Sequence, residues 1–149
     1  MTADAMERAF AEAAAAAARG EVPVGCAIVD PRSQEIIAAC GNRTEELRDP
    51  TAHAEMLAIR AAAAKLGEPH LAECDLYVTL EPCAMCAAAI GFARIRRLYY
   101  AAADAKGGAV EHGPRWFAQP TCLHRPDIYG GIQERRAADL LRDFFRARR

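Results

Sequence analysis

Four residues in two short segments have the side chains needed for a hydrolytic metal site. His53 and Glu55 lie two residues apart, and Cys83 and Cys86 lie three apart. Imidazole and thiolate are zinc ligands, and a catalytic zinc keeps three protein ligands while leaving its fourth position to water. Zinc lowers the pKa of that water from ~15.7 to about 7. The pattern therefore predicts a zinc site of His53, Cys83 and Cys86, with Glu55 free to move protons.

The spacing of the cysteines predicts that both lie in the first turn of one helix. Residues three apart are separated by about 60° around an α-helix of ~3.6 residues per turn, so both thiolates can reach one ion from the first turn. Pro82 suits the first position of such a helix, where its missing N–H costs nothing. The positive end of the helix dipole then favours thiolate over thiol.

His53 and Glu55 need a different arrangement, because residues two apart lie roughly 200° apart around a helix. At least one of them must lie outside regular helix. We therefore expect Thr51 to cap a helix, His53 to stand at the very start of that helix, and Glu55 to point into the same cleft from the first turn.

Each segment alone also has an ordinary interpretation. A Cys-x-x-Cys pair can be a redox pair or half of a structural zinc knot. A lone His before a helix can be a core or cap residue, and a lone Glu there can be a solvated partner of the helix dipole. The catalytic interpretation is favoured by the joint pattern, with Pro before the cysteines and about thirty residues between the halves.

Length and composition favour one domain over residues 1–149 with a single core. The six cysteines lack the density of a disulfide scaffold, so free thiols and a cytoplasmic protein are expected. No signal peptide and no apolar run long enough to span a bilayer is found, so no membrane partner is expected.

The net charge of −1 conceals a basic C-terminal segment. Its arginines are Arg135, Arg136, Arg142, Arg146, Arg148 and Arg149. They can form a solvated helix face with ordinary ion pairs, or an edge that binds phosphates.

Apolar patterns predict alternating helices and strands. Helices are expected at about 3–19, from His53 to Gly67, from Pro82 to about 92, and in a last segment with an apolar face of Leu140, Leu141, Phe144 and Phe145. Strands are expected at 22–30, 35–40, 75–80, 98–102 and 128–132. Residues 41–52 form a polar loop, and 104–127 show no periodicity, which at this length indicates function. The order predicts an α/β layered sheet with the metal-binding helices side by side on one face.

The motifs resemble the bacterial tRNA-specific adenosine deaminase family, within the cytidine/deoxycytidylate deaminase superfamily, over nearly the whole chain. Further matching segments are Val22–Gly25, Asn42-Arg43, Asp49–Ala52 and Asp104–Lys106. The resemblance implies a three-layer α/β/α cytidine-deaminase-like fold with a central mixed five-stranded sheet, one Zn²⁺ per subunit and a homodimer. It also implies hydrolytic conversion of the wobble adenosine in a tRNA anticodon loop to inosine, by zinc-bound hydroxide with Glu55 as the proton shuttle.

The same resemblance implies contacts with the anticodon stem-loop. Asn42 should hydrogen-bond the flipped base, Asp104 the ribose and Lys106 a neighbouring phosphate. The residues that match the family's C-terminal aromatic and basic element are Phe145, Arg148 and Arg149, where bases could stack and phosphates dock. Alternatively, Asn42 forms a loop turn, Asp104 is a cap and the phenylalanine belongs to the core.

Several positions depart from the commonest family pattern. Cys26 stands where alanine is more usual and Ala101 where glycine is more usual, and the segment from His112 to Pro126 also differs. These changes leave the zinc chemistry untouched but bear on substrate contacts. His112, Cys122 and His124 could suggest a second metal site, but their irregular spacing favours ordinary loop residues.

Two other functions fit parts of the pattern. One is deamination of a free nucleobase or nucleoside such as guanine or cytosine, because the zinc core alone does not define the base; the arginine-rich tail favours RNA. The other is a non-catalytic, zinc-stabilised RNA-binding subunit, in which the metal contributes folding energy. Glu55 argues against the second, because such a subunit has no chemical need for it.

Overall fold

A five-stranded mixed sheet forms the middle layer of the structure, a computed structural model that describes residues 2–148. The strands are β1 (Gly25–Asp30), β2 (Glu35–Gly41), β3 (Asp75–Leu80), β4 (Arg97–Ala102) and β5 (Asp127–Tyr129), in the spatial order β2-β1-β3-β4-β5. Strand β1 is antiparallel to β2 and β3, whereas β3, β4 and β5 run parallel. The ends of β2, β3 and β4 and the start of β1 therefore share one edge.

Helices cover both faces of the sheet. They are α1 (Thr2–Ala18), α2 (Thr44–Leu47), α3 (Ala54–Leu66), α4 (Ala84–Phe92) and α5 (Glu134–Arg146), with a short 3₁₀ helix at Trp116–Ala118. Helices α1 and α5 pack on one face, whereas α3 and α4 lie together on the other. The predicted three-layer α/β/α arrangement, with the two metal-binding helices side by side, is confirmed.

Alternating side chains of the central strands build two cores, one on each face of the sheet, and not the single core expected from the length of the chain. Ile28 and Leu76 point towards α3 and α4, whereas Ala27 and Tyr77 point towards α1 and α5. Strands buried on both faces are nearly continuously apolar, and β1 reads Gly-Cys-Ala-Ile-Val-Asp for this reason. Among the helices within residues 2–148, none has both the length and the apolar character needed to cross a membrane.

Some predicted boundaries were wrong. Strand β1 begins at Gly25 and not at Val22. The expected polar loop at 41–52 contains the short helix α2. Strand β5 spans 127–129, not 128–132. It stops at Tyr129 because Gly130 lies against the Tyr100 ring and Gly131 takes a φ of +82°, which turns the chain away.

Candidate zinc active site

His53 and Glu55 both reach the site from the start of α3. His53 has the extended N-cap conformation (φ −72°, ψ 152°), and Glu55 lies in the first turn with its residue 4% exposed. Residues two apart in a regular helix point in nearly opposite directions. Because the backbone at His53 is extended, its side chain can point to the same site as that of Glu55. The expectation that Thr51 caps the helix was wrong, because its N–H and hydroxyl donate instead to Asp49 Oδ1 at 2.8 and 2.7 Å.

The cysteines reach the site from the start of α4. Cys83 is the N-cap (φ −71°, ψ 175°) and Cys86 follows within the first turn. The prediction that Pro82 occupies the first helical position was wrong, because the helix begins at Ala84 and the proline precedes the cap. Its carbonyl accepts a hydrogen bond from the Ala109 N–H at 2.8 Å, which fixes the approach to the helix.

His53, Cys83 and Cys86 have the geometry of a zinc site. His53 Nδ1 lies 3.5 Å from each cysteine Sγ, and all three ligand atoms lie within 4.8 Å of one another. Zn–N and Zn–S bonds of about 2.1 and 2.3 Å in a tetrahedron place N and S about 3.6 Å apart. The residues present therefore fit zinc. Within the part of the chain that the structure describes, no other group of three such side chains meets this test.

Proton affinities within the triad differ strongly. The hydrogen bond from Cys86 lowers the pKa of Cys83 to about 4, despite partial burial. The same contact, together with burial, raises the pKa of Cys86 far above its usual value. Cys83 is therefore a thiolate at neutral pH, whereas Cys86 must give up its proton when a metal binds.

Glu55 lies beside the triad with very little access to solvent. Burial raises its pKa to about 7, with a further increase from the nearby Cys83. Cys26 lies buried close to Glu55, and burial and that carboxylate raise the pKa of the Cys26 thiol. A carboxyl with a pKa near neutrality can both accept and release a proton under ordinary conditions.

A cavity of about 340 Å³ opens above these residues. It lies at the sheet edge where β2, β3 and β4 end. The lining side chains and backbone come from Val22, Val24, Asn42, Thr44, His53, Ala54, Glu55, Leu80, Glu81, Cys83, Asp104 and Gly107. The pocket surface is largely apolar, with a small number of polar side chains, which is the usual composition of a small-molecule site.

Asn42 and Asp104 line this cavity from two different loops. The Asn42 amide nitrogen lies 3.5 Å from Thr44 Oγ1, at the limit of a hydrogen bond. Asp104 Oδ1 accepts the backbone N–H groups of Lys106 and Gly107 at 3.1 and 3.0 Å. Asp104 thus caps the turn that follows it, as in the alternative considered for this residue, and it also contributes to the pocket wall.

Comparisons with known proteins agree with this geometry. A model of the cytidine and deoxycytidylate deaminase zinc-binding region matches residues 1–102. The tRNA-specific adenosine deaminase of Agrobacterium fabrum is 59% identical over 145 residues, covering 97% of this chain and 93% of that protein. The chain belongs to the tRNA-specific adenosine deaminase family. The expected cytidine-deaminase-like fold and zinc cofactor are confirmed.

Two solved structures extend the comparison. One, from work on A-to-I editing by tRNA:A34 deaminases at the wobble position of transfer RNA, is 57% identical with a TM-score of 0.90, covering 93% of this chain and 99% of that chain. Guanine deaminase from Bacillus subtilis is 30% identical with a TM-score of 0.64, covering 97% of this chain and 90% of that chain. The tRNA-specific adenosine deaminase family thus shares its fold with free-base deaminases.

The other expected RNA contacts lie outside the cavity. Lys106 is exposed, two residues beyond Asp104. Phe145 is 50% exposed on α5, whereas its neighbour Phe144 is buried. The Arg148 guanidinium carbon lies 3.5 Å from the Phe144 ring centroid, and its Nη1 donates to the Phe144 carbonyl at 3.2 Å. Arg149 lies outside the described residues.

His112, Cys122 and His124 do not converge on a common point. His112 Nδ1 donates to Glu81, Cys122 Sγ contacts the His124 carbonyl at 3.2 Å, and His124 Nε2 donates to the Ile95 carbonyl at 2.8 Å. The interpretation as loop residues fits these contacts.

Two buried glutamates next to the cavity were missed by the sequence reasoning. Glu21 accepts the N–H groups of Glu45 and Glu46 at 3.1 and 2.8 Å, and so holds the start of α2, just beyond Asn42. Glu81 accepts hydrogen bonds from the segment that begins with Asp104. For Glu81 the available signal was a carboxylate directly after a buried apolar strand, which requires partners that the sequence does not identify.

Proposed function

We propose that this chain converts the wobble adenosine of a tRNA anticodon loop to inosine by hydrolytic deamination, with residues 1–149 acting as one domain. The observation that carries the proposal is Glu55, buried in a cavity wall beside a triad suited to zinc. The relative from Agrobacterium fabrum and the tRNA:A34 deaminase structure support tRNA as the substrate.

His53, Cys83 and Cys86 would hold the zinc ion, which when bound supplies a Lewis acid that activates water for attack on C6 of adenine. Glu55 would accept one proton from the attacking water and transfer it to N1, and then take the proton of the hydroxyl group formed at C6 and deliver it to the departing amine. A bond from C6 to oxygen forms, the bond from C6 to the amino nitrogen breaks, and ammonia leaves. The buried position of Glu55 restricts competing exchange with bulk water.

The remaining contacts with the RNA are proposed from the positions of the side chains around the cavity. Asn42 offers both a donor and an acceptor to the edge of the flipped base, and the Asp104 carboxylate faces the ribose. Lys106, at the rim, would bind a neighbouring phosphate. Phe145 and Arg148, which are both exposed, would contact the flanking RNA, since aromatic side chains stack bases and arginines bind phosphates. Arg149, which lies outside the described residues, would bind a further phosphate.

The substrate is tested with a synthetic anticodon stem-loop that carries adenosine at the wobble position. Inosine formation by the zinc-loaded protein, with no ammonia from free guanine or cytosine, is the expected result. The matched control is a stem-loop with guanosine at the wobble position. Turnover of free guanine with an untouched stem-loop would instead support the free-base alternative, which the likeness to guanine deaminase favours.

We also propose a homodimer formed through the outer face of α4. A groove of about 400 Å³ lies there, and the nearby side chains of Phe92 and Leu123 are 77% and 94% exposed. Large exposed apolar side chains grouped around a groove are typical of interaction surfaces.

The free cysteines fit a reducing cytoplasm, where tRNA is also located.

Sedimentation at micromolar concentration tests the dimer. The native chain should sediment as a dimer, and the double variant Phe92→Ser with Leu123→Ser as a monomer. Leu66→Ser, at a side chain 43% exposed near the end of α3, is the matched control and should stay dimeric. A native monomer, or an unchanged double variant, would contradict this surface.

A further inference from the structure

Glu81 is a buried carboxylate that the proposed chemistry does not use. It follows β3 directly, and its side chain is 0% exposed. Its Oε1 accepts the Asp104 N–H at 2.9 Å and the His112 Nδ1–H at 2.8 Å. Its Oε2 accepts the N–H groups of Val110, Glu111 and His112 at 3.1, 2.9 and 3.1 Å. Both oxygens therefore have their hydrogen-bonding capacity filled.

All five donors belong to residues 104–112, which follow β4 and have no regular secondary structure. Backbone N–H groups in an irregular segment have no ladder or helix to satisfy them. A single carboxylate here satisfies four of them, so the path of this segment depends on one side chain that lies directly after β3. The same segment carries Asp104 to the wall of the cavity.

Gly108 shows how closely the segment passes over the carboxylate. A Cβ atom placed on Gly108 would lie 2.5 Å from Glu81 Cδ and 2.5 Å from the Asp104 carbonyl oxygen. Only a residue without a side chain allows this approach. Ala109 adds a further link through its N–H to the Pro82 carbonyl, directly before the zinc-binding Cys83.

We infer that Glu81 is a positioning residue for the substrate: it fixes residues 104–112 so that Asp104 meets the ribose at the cavity wall. The inference rests on the proposed function. Glu81 itself makes no contact with the reacting atoms, because its oxygens are filled by the segment. Its effect on the reaction therefore passes through Asp104 and is expected in substrate binding, not in the chemical step.

The experiment uses Glu81→Gln, which places an NH₂ group against at least two N–H donors while keeping the volume of the side chain. KM for the stem-loop should rise by about tenfold or more, as expected when a buried charged hydrogen-bond network is broken, whereas kcat and zinc content stay near native values. Glu35→Gln, which changes an exposed glutamate paired with Lys65, is the matched control and should leave both constants unchanged.

A double-mutant cycle with Asp104→Ala separates positioning from general support of the fold. If Glu81 acts through Asp104, the double variant should have nearly the same KM as Asp104→Ala alone. An equal rise in KM in both backgrounds would overturn the inference. So would loss of zinc and a fall in kcat with KM unchanged, because Glu81 would then support the metal ligands.

Hydrogen exchange makes the test independent of turnover. Residues 104–112 should exchange faster in Glu81→Gln than in the native protein, with the zinc content equal; unchanged exchange would overturn the inference. If the native protein forms no inosine, the proposed function fails, and these exchange rates alone decide whether Glu81 holds the segment. Should Glu81→Gln not fold, Gly108→Ala disturbs the same contact and should give the same rise in KM.

Discussion

The Sγ atom of Cys83 lies 3.5 Å from Nδ1 of His53, although 30 residues separate them in the sequence. Both residues are helix N-caps with extended backbone, on neighbouring helices of the same layer. An N-cap has freedom of direction that a residue inside a helix lacks, and here two caps direct their side chains to one point. This pairing is the basis of the zinc site.

The triad gives a direct prediction for the metal. Cys86→Ala should not retain zinc through purification and should lose both turnover and stability, because metal binding contributes folding energy. Elemental analysis and thermal unfolding measure the two effects. Cys40→Ala, at a half-buried cysteine outside the triad, is the control and should keep one zinc per chain.

Asp104 is expected to distinguish ribose from deoxyribose. Asp104→Asn keeps an oxygen for the Lys106 and Gly107 N–H groups, so the turn should persist, while the negative charge that we propose to face the ribose is lost. The preference for a wobble adenosine over deoxyadenosine should fall by roughly tenfold, as for the loss of one charged hydrogen bond. Unchanged discrimination would remove this role.

Glu81 should make the free energy of unfolding depend on pH in a defined direction. Burial raises the pKa of Glu81, but the N–H groups of Asp104 and Glu111 and the His112 ring outweigh it, so the pKa lies below the usual 4.5. A carboxyl with a lower pKa folded than unfolded binds fewer protons when folded, so its contribution is complete above the unfolded pKa. This contribution to stability is lost as the pH falls through the pKa of Glu81 in the folded protein.

The measurement is urea unfolding of the native protein and Glu81→Gln at a series of pH values. The native protein should be more stable by about 1–3 kcal/mol at neutral pH. This difference should stay constant down to about pH 5 and shrink below about pH 4.5, where the unfolded carboxyl protonates. A difference that grows as the pH falls would contradict the direction of the pKa shift.

Gly25 lies in close contact with the backbone of α1. A Cβ atom there would lie 1.9 Å from the Ala9 carbonyl oxygen and 2.6 Å from the Ala13 nitrogen. Gly25→Ala should therefore lower the free energy of unfolding by about 1–3 kcal/mol or more through overpacking. Thermal unfolding measures this, and Ala14→Ser on the exposed side of α1 should have little effect by comparison.

Local patterns were sufficient to predict that His53 and Glu55 lie at the start of one helix and Cys83 and Cys86 at the start of another, because each pair is set by spacing within a few residues. The predicted helix positions of Thr51 and Pro82 were wrong because a cap depends on backbone conformation. That conformation is influenced by contacts from outside the helix: Asp49 accepts the Thr51 N–H, and the Ala109 N–H donates to the Pro82 carbonyl. Glu81 could not be predicted, since its partners lie in an irregular segment more than twenty residues away.

The measurement that tests the central claim most directly compares the zinc-loaded native protein with Glu55→Ala on the wobble-adenosine stem-loop. Both proteins should carry one zinc, because Glu55 is not a member of the ligand triad. Inosine formation should fall by roughly 10²–10⁴-fold in the variant, the usual contribution of a general acid–base. Near-native turnover by Glu55→Ala with its zinc in place would contradict the account.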